Sequence, residues 1–193
     1  MGATSQARLG LILAIAAAAL LALILVPRAM RRSASAAQAA PSELTRHDGR
    51  LFLIGQDRPF TGLLVESYPD GSIRSRSSLV EGLLHGISEG YHTNGQIEVQ
   101  EEFRHGVAHG IRTKYHPNGN IKSQVAALDG QLDGAYRCWN EQGVLESEVE
   151  MRRGQIHGLS RAFYPSGCLR TLARMENGQV LEQQSWPDGE RRP

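Results

Sequence analysis

The chain has little of what would staple a small secreted fold or run an enzyme. Cysteine occurs only twice in 193 residues, at Cys138 and Cys168. The strand order argued below sets the two about 14 Å apart, whereas a disulfide needs Cα atoms within about 7 Å. Both are therefore expected as free thiols, and they leave the redox compartment open. There is no Ser/His/Asp order, no phosphate-binding loop and no paired Cys/His ligand spacing. Acidic residues are missing from the first 41 positions, which hold four of the 21 basic ones. The rest of the chain carries 17 basic residues against all 20 acidic ones, a net charge of −3. A slightly acidic domain without a basic stripe argues against nucleic acid as the main ligand, and against the domain itself gripping anionic lipid. Helical periodicity is absent after residue 41.

What the chain does have is glycine at a fixed period of 24 residues, in three parallel sets. One set is Gly62, Gly86, Gly110, Gly134 and Gly158; a second runs from Gly71 through Gly95, Gly119 and Gly143 to Gly167; a third runs from Gly82 through Gly106, Gly130 and Gly154 to Gly178. Five units without insertion or deletion mark a repeat array in which each unit stacks on its neighbours. Within a unit, apolar residues such as Ile97 and Phe103 alternate with charged ones such as Glu98, the signature of a strand with one buried face. A shorter strand precedes it and ends on an aromatic ring: Tyr91, Tyr115, Trp139 and Phe163, shifted to Tyr68 in the first unit. Tyr68-Pro-Asp-Gly71, Thr93-Asn-Gly95, Pro117-Asn-Gly119 and Pro165-Ser-Gly167 supply tight turns between the strands. The expected fold is all-β: an elongated single-layer antiparallel meander of about five to six 24-residue hairpin repeats, preceded by an N-terminal hydrophobic helix. Glu182 stands where a sixth unit should open with glycine, and Trp186-Pro-Asp-Gly189 echoes the first turn, so a truncated unit is expected to cap the array.

Two constellations invite chemistry. His85, His109 and His157 share one repeat position, with Asp133 between them. Neighbouring units lie about 10 Å apart by strand spacing, too far for one metal, so turn chemistry is the reading for these residues. His92 and His116 lie near a turn and read as exposed. Glu146, Glu148 and Glu150 line one strand, yet Arg74, Arg76, Arg170 and Arg174 occupy matching positions elsewhere, which points to cross-strand charge pairing rather than acid/base catalysis. The candidate partner-binding residues are instead Tyr91, Tyr115, Trp139 and Phe163. They form a ladder whose rings either pack on apolar neighbours or present edges to a partner.

The pattern of an aromatic, two or three residues, Asn/Asp/Ser-Gly, one residue, Ile/Leu, and then Gly-x-x-His/Asp-Gly resembles the MORN (membrane occupation and recognition nexus) repeat in its bacterial variant. The opening Pro59-Phe60-Thr61-Gly62, preceded by a strand expected over Leu51–Ile54, also resembles the start of the YwqK-type proteins labelled antitoxins. The resemblance implies a sheet used for protein contacts, with no catalytic, cofactor or metal residues to carry over, and a toxic protein as one kind of partner.

Residues 9–26 are an unbroken apolar run of 18, followed by Pro27, Arg28, Arg31 and Arg32. The run reaches the lower limit for spanning a bilayer as a helix, and the arginines after it lean toward a cytoplasmic repeat domain. A cleaved signal peptide is the competing reading, with Ala34-Ser-Ala36 and Ala37-Gln-Ala39 as cleavage sites. The organisation is then an anchor or signal over residues 1–32, a flexible Ser/Ala-rich linker over 33–47 and the repeat domain over 48–193. The expected protein is a non-enzymatic, cofactor-free repeat scaffold, tethered to the membrane through residues 9–26 and binding an unidentified protein. An exported periplasmic or surface protein, or a lipid-associating or enzyme-accessory module, are the alternatives. The full chain should fractionate with membranes and resist carbonate extraction, and a chain starting at Pro41 should be soluble. A mature N-terminus near residue 37 or 40 by mass spectrometry would establish cleavage instead.

Overall fold

The computed structural model describes residues 37–190, within the second of the two units into which the chain divides, Ala37–Pro193. The first strands are β1 (Gln38–Ala39), β2 (Leu44–His47), β3 (Arg50–Leu53), β4 (Gly62–Ser67), β5 (Ile73–Val80) and β6 (Leu83–Tyr91). They are followed by β7 (Ile97–Arg104), β8 (Val107–Ala108), β9 (Gly110–Tyr115), β10 (Ile121–Leu128) and β11 (Gln131–Trp139). The last are β12 (Leu145–Arg152), β13 (Gln155–Phe163), β14 (Leu169–Glu176) and β15 (Gln179–Ser185). One 13-stranded sheet runs in the order β1-β4-β5-β6-β7-β9-β10-β11-β12-β13-β14-β15, with β8 beside β7, while β2 and β3 form a separate hairpin.

Two kinds of turn alternate along this meander. The outer tips are the two-residue turns Glu81-Gly82, His105-Gly106, Asp129-Gly130, Arg153-Gly154 and Asn177-Gly178, with positive φ at both residues of each. That is the type I′ geometry, whose twist matches the flanking strands. The Asp-Gly and Asn-Gly pairs singled out in the sequence make the other kind. In the first, the Gly71 amide donates to the Tyr68 carbonyl at 2.9 Å and the Tyr68 amide to the Ser72 carbonyl at 2.8 Å, a type I turn closed by a glycine bulge. Asp70 fastens this turn by accepting from the Ser72 hydroxyl and amide, and these bonds hold its carboxyl below the usual carboxylate range.

In the remaining glycine set Gly62 and Gly110 open β4 and β9, while Gly86, Gly134 and Gly158 sit inside strands. Between Ser77↔Ser88 and Leu79↔Leu84, β5 advances two residues while β6 advances four, so β6 bulges around Gly86 at φ 83°. The same two-for-four step recurs on β11 at Gly134 and on β13 at Gly158. On β15 it shrinks to one-for-two between Arg174↔Glu182 and Met175↔Val180. Glu182, the residue that breaks the glycine series, thus also ends the wide bulge. Β15 forms the open edge, and all of its residues are exposed.

The expectation of a purely antiparallel, single-layer meander headed by a helix is corrected in two ways. Β1 joins the sheet parallel to β4, through Gln38↔Leu63 and Ala39↔Leu64. The segment read as a flexible linker also carries, from residue 38 onward, β1, a 3-10 turn at Pro41–Glu43 and β2. This ordering has a packing cause. Ala39, Phe60 and Leu79 are buried together, at 2%, 4% and 2% exposure, with Leu44, Leu51, Leu53, Leu64 and Leu84 packed around them. The β2–β3 hairpin therefore gives the first repeat a second layer and a real core. Its signal was weak because Gln38-Ala39 lies in an Ala/Ser-rich stretch without periodicity. The expected hydrophobic helix falls outside the described residues. Within them there is no α-helix, and no helix is long and apolar enough to cross a membrane.

The covering hairpin singles out one glycine. A methyl group on Gly82 would meet the Leu51 carbonyl oxygen at 2.7 Å and amide at 2.8 Å, whereas one on Gly154 would meet nothing within 4 Å, although φ is +76° and +78° at the two. Gly154→Ala should therefore cost about 1 kcal/mol for the left-handed backbone alone. Gly82→Ala should cost on the order of 3 kcal/mol, because backbone must move as well. Equal losses of thermal midpoint in the two variants would show that the N-terminal hairpin does not seat on the first tip.

Candidate functional site

The candidate rings close their strands: Tyr91 ends β6, Tyr115 ends β9, Trp139 ends β11 and Phe163 ends β13. Each lies opposite the first residue of the next strand: Ile97, Ile121, Leu145 and Leu169 respectively. All four are half-buried. The backbone of Tyr91, Tyr115 and Trp139 is held from the preceding unit. The Tyr68 hydroxyl donates to the Tyr91 carbonyl at 2.7 Å, His92 Nε2 bonds the Tyr115 carbonyl at 3.1 Å, and His116 Nε2 bonds the Trp139 carbonyl at 2.8 Å. Asn94 and Asn118 add bonds to the carbonyls of Pro117 and Glu141, both at 2.8 Å. His92 and His116, read from sequence as exposed turn residues, are thus half-buried struts between repeats. Each must carry its proton on Nε2 to donate to a carbonyl. Their spacing of 24 residues, shared with Tyr68 and Tyr164, was the available signal.

The rings are not segregated from the charges. The Tyr91 hydroxyl donates to Glu89 Oε2 at 2.6 Å, and Glu89 Oε1 accepts from Gln100 at 3.0 Å. Burial pushes the Tyr91 phenol above its ordinary pKa, and the Glu89 carboxylate adds to this while Arg76 opposes it. At the other end of the array, Phe163, Glu146 and Arg170 line one shallow pocket with Asn140, Ser147, Ala162 and Pro165. At Tyr91 and beside Phe163 the ladder therefore adjoins charged side chains.

The other candidate constellations resolve into structural roles. His85 Nδ1 accepts from the His105 amide at 3.5 Å, Asp133 Oδ2 from the Arg153 amide at 3.2 Å, and Thr61 Oγ1 from the Glu81 amide at 2.9 Å. These three side chains, equivalent in the repeat, cap the first residue of the next outer tip. Among the described residues no group of three or more His, Cys, Asp or Glu stands close enough to hold a metal. Glu148 accepts from Arg137 Nε at 2.6 Å and from Arg161 at 2.8 Å, so its partners come from the strands on either side. Glu150 receives the Leu159 amide at 3.3 Å beside the bulge at Gly158. A carboxylate engaged by two guanidinium groups is a poor general base, because they occupy its lone pairs. Cys138 and Cys168 are free, three strands apart in the sheet order.

If the turn histidines are struts, they should act on stability alone. His116→Ala should cost about 1 kcal/mol through the lost bond to the Trp139 carbonyl. His157 makes no such bond among the described residues, and its replacement by alanine should stay within about 0.5 kcal/mol. Chemical denaturation of the two variants checks this, and the reverse order would remove the strut role.

Comparison with known proteins agrees with this geometry. The model of the MORN repeat variant family matches residues 84–105 and 108–125, the stretch from β6 into β10. None of the curated proteins compared matches the chain. MORN repeats are generally protein- or lipid-interaction modules and generally non-enzymatic. The matched stretch contains Tyr91 and Tyr115, so two of the four candidate rings lie within recognised MORN-variant repeats.

Proposed function

We propose that the chain is a non-enzymatic repeat scaffold, tethered to a membrane by residues 9–26, that holds a protein partner along the row of Tyr91, Tyr115, Trp139 and Phe163. The observation that carries this reading is the repetition of half-buried rings at one register, with Tyr91, Tyr115 and Trp139 locked through their carbonyls by the unit before. A backbone held in this way loses little further freedom on binding, and Tyr and Trp dominate binding hot spots. The tether is supported by the 18-residue apolar run and the arginines that follow it. A toxic protein as the partner is the antitoxin form of this reading, supported by the resemblance of residues 59–62 alone.

Export after signal cleavage is the second reading, and one bond bears on it: cleavage after Ala36 would keep the Ala37 carbonyl, which accepts the Leu63 amide at 2.8 Å. Cleavage after Ala36 would leave β1 intact, whereas cleavage after Ala39 would remove a residue of the core. Labelling of the repeat domain from outside intact cells separates export from a cytoplasmic scaffold.

Replacing Tyr115 and Trp139 together with alanine should lower recovery of the co-purifying partner by more than about tenfold, in a protein whose circular dichroism is unchanged. Undiminished recovery would remove the row from the binding surface.

A further inference from the structure

One register position in each unit, the second residue of the strand that follows the ring, holds Arg74, Glu98, Lys122, Glu146 and Arg170. The sign alternates from unit to unit without exception, and all five residues are exposed. Arg74 already pairs with Glu66 within the chain, at 3.3 Å. Among the described residues the other four make no ion pair; Arg170 lies over the Tyr164 ring at 6.0 Å. Four free charges of order minus, plus, minus, plus on β7, β10, β12 and β14 become plus, minus, plus, minus when reversed. The sequence is complementary to itself read backwards.

We propose that this row is a self-association surface, on which a second copy of the chain docks face to face about a twofold axis running along β11. This names the partner for the surface proposed above and rests on that surface being a binding site. Such an axis sets Glu98 against Arg170 of the other copy and Lys122 against Glu146, and each pair occurs twice. It also brings Trp139, which ends β11, to the centre of the interface. The alternatives are worse. An axis along β10 would face Glu98 with Glu146, and one along β9 would call on Arg74, already engaged by Glu66. In one pocket Phe163 stands with Glu146 and Arg170, so a ring and two of the four charges share a surface there. The seven strands from β7 to β14 on the sheet path span about 29 Å at the strand spacing, and a band about 20 Å deep gives roughly 600 Å² per copy. That reaches the lower bound of stable specific interfaces. Isologous pairing of one patch with itself is also the commonest oligomeric symmetry.

The test is reciprocal charge reversal in the full chain, solubilised in nonionic detergent and weighed by sedimentation equilibrium. The unmodified chain should be a dimer that weakens as salt rises. Lys122→Glu and Glu146→Lys should each raise the dimer dissociation constant by more than about tenfold, since like charges then face each other twice. An equimolar mixture of the two variants should regain the dimer, because every facing pair is opposite again. If either variant loses its strand signal in circular dichroism, Glu98→Lys and Arg170→Glu form an equivalent pair. A monomeric unmodified chain, a dimer indifferent to both reversals, or a mixture that stays dissociated overturns the proposal. In each of those outcomes the Tyr115 and Trp139 capture experiment still decides whether the row binds a different protein.

Discussion

A two-residue hairpin tip leaves its two central amides without partners in its own hairpin, and the stacking of this domain is built on where those amides go. The Gly82 amide donates to the Phe60 carbonyl, Gly106 to Leu84, Gly130 to Ala108, Gly154 to Leu132 and Gly178 to Ile156, all between 2.7 and 2.9 Å. Every bond reaches back 22 residues, one unit less the length of the turn. At three tips the neighbouring amide is capped from the same preceding unit, by Thr61, His85 and Asp133. These caps fall on Glu81, His105 and Arg153, non-glycine residues at φ 49°, 50° and 50°. A left-handed backbone there is disfavoured, and a bond that only the stacked array can supply offsets the cost. The fixed period follows: inserting one residue would misalign the tip with its acceptor.

Much of this was legible in the glycines. Their three registers correspond to three positions: an outer tip, an inner turn, and a strand bulge at Gly86, Gly134 and Gly158. The sequence also announced the aromatic position and the alternating strand. What it hid were features without a period. Gln38-Ala39 adds a parallel strand from a stretch that composition marks as linker, and β2 came from the same stretch, whereas its partner β3 overlaps the strand expected over Leu51–Ile54. The Asn-Gly pairs were legible as turns but not by type, because the positive φ falls on the glycine alone in the inner turns and on both residues at the outer tips and at Asp48-Gly49.

The candidate site was half legible for a similar reason. Recurrence located the rings, but periodicity carries no information about which side chains a ring meets, and an extra residue in the facing strand upsets simple alternation. The shift between Gly90 and Tyr91, repeated at Cys138/Trp139 and at Ala162/Phe163, lies where ring and charge come together. Glu148 is a second case. Its guanidinium partners, Arg137 and Arg161, sit 11 and 13 residues away in the flanking strands, and only the pairing register selects them over the other arginines of the array.

The two ends of the sheet differ in kind. At one end Ala39, Phe60 and Leu79 are shut beneath a second layer, while at the other β15 carries Val180 and Leu181 half in water, at 54% and 52% exposure. In a stack where each unit leans only on its neighbours, stability is a chain of local terms rather than one shared core. Such a sheet opens like a zip with a single slider. Unpairing starts at β15 and travels inward one hairpin at a time, so amide protons exchange in the reverse of the order in which the chain is synthesised.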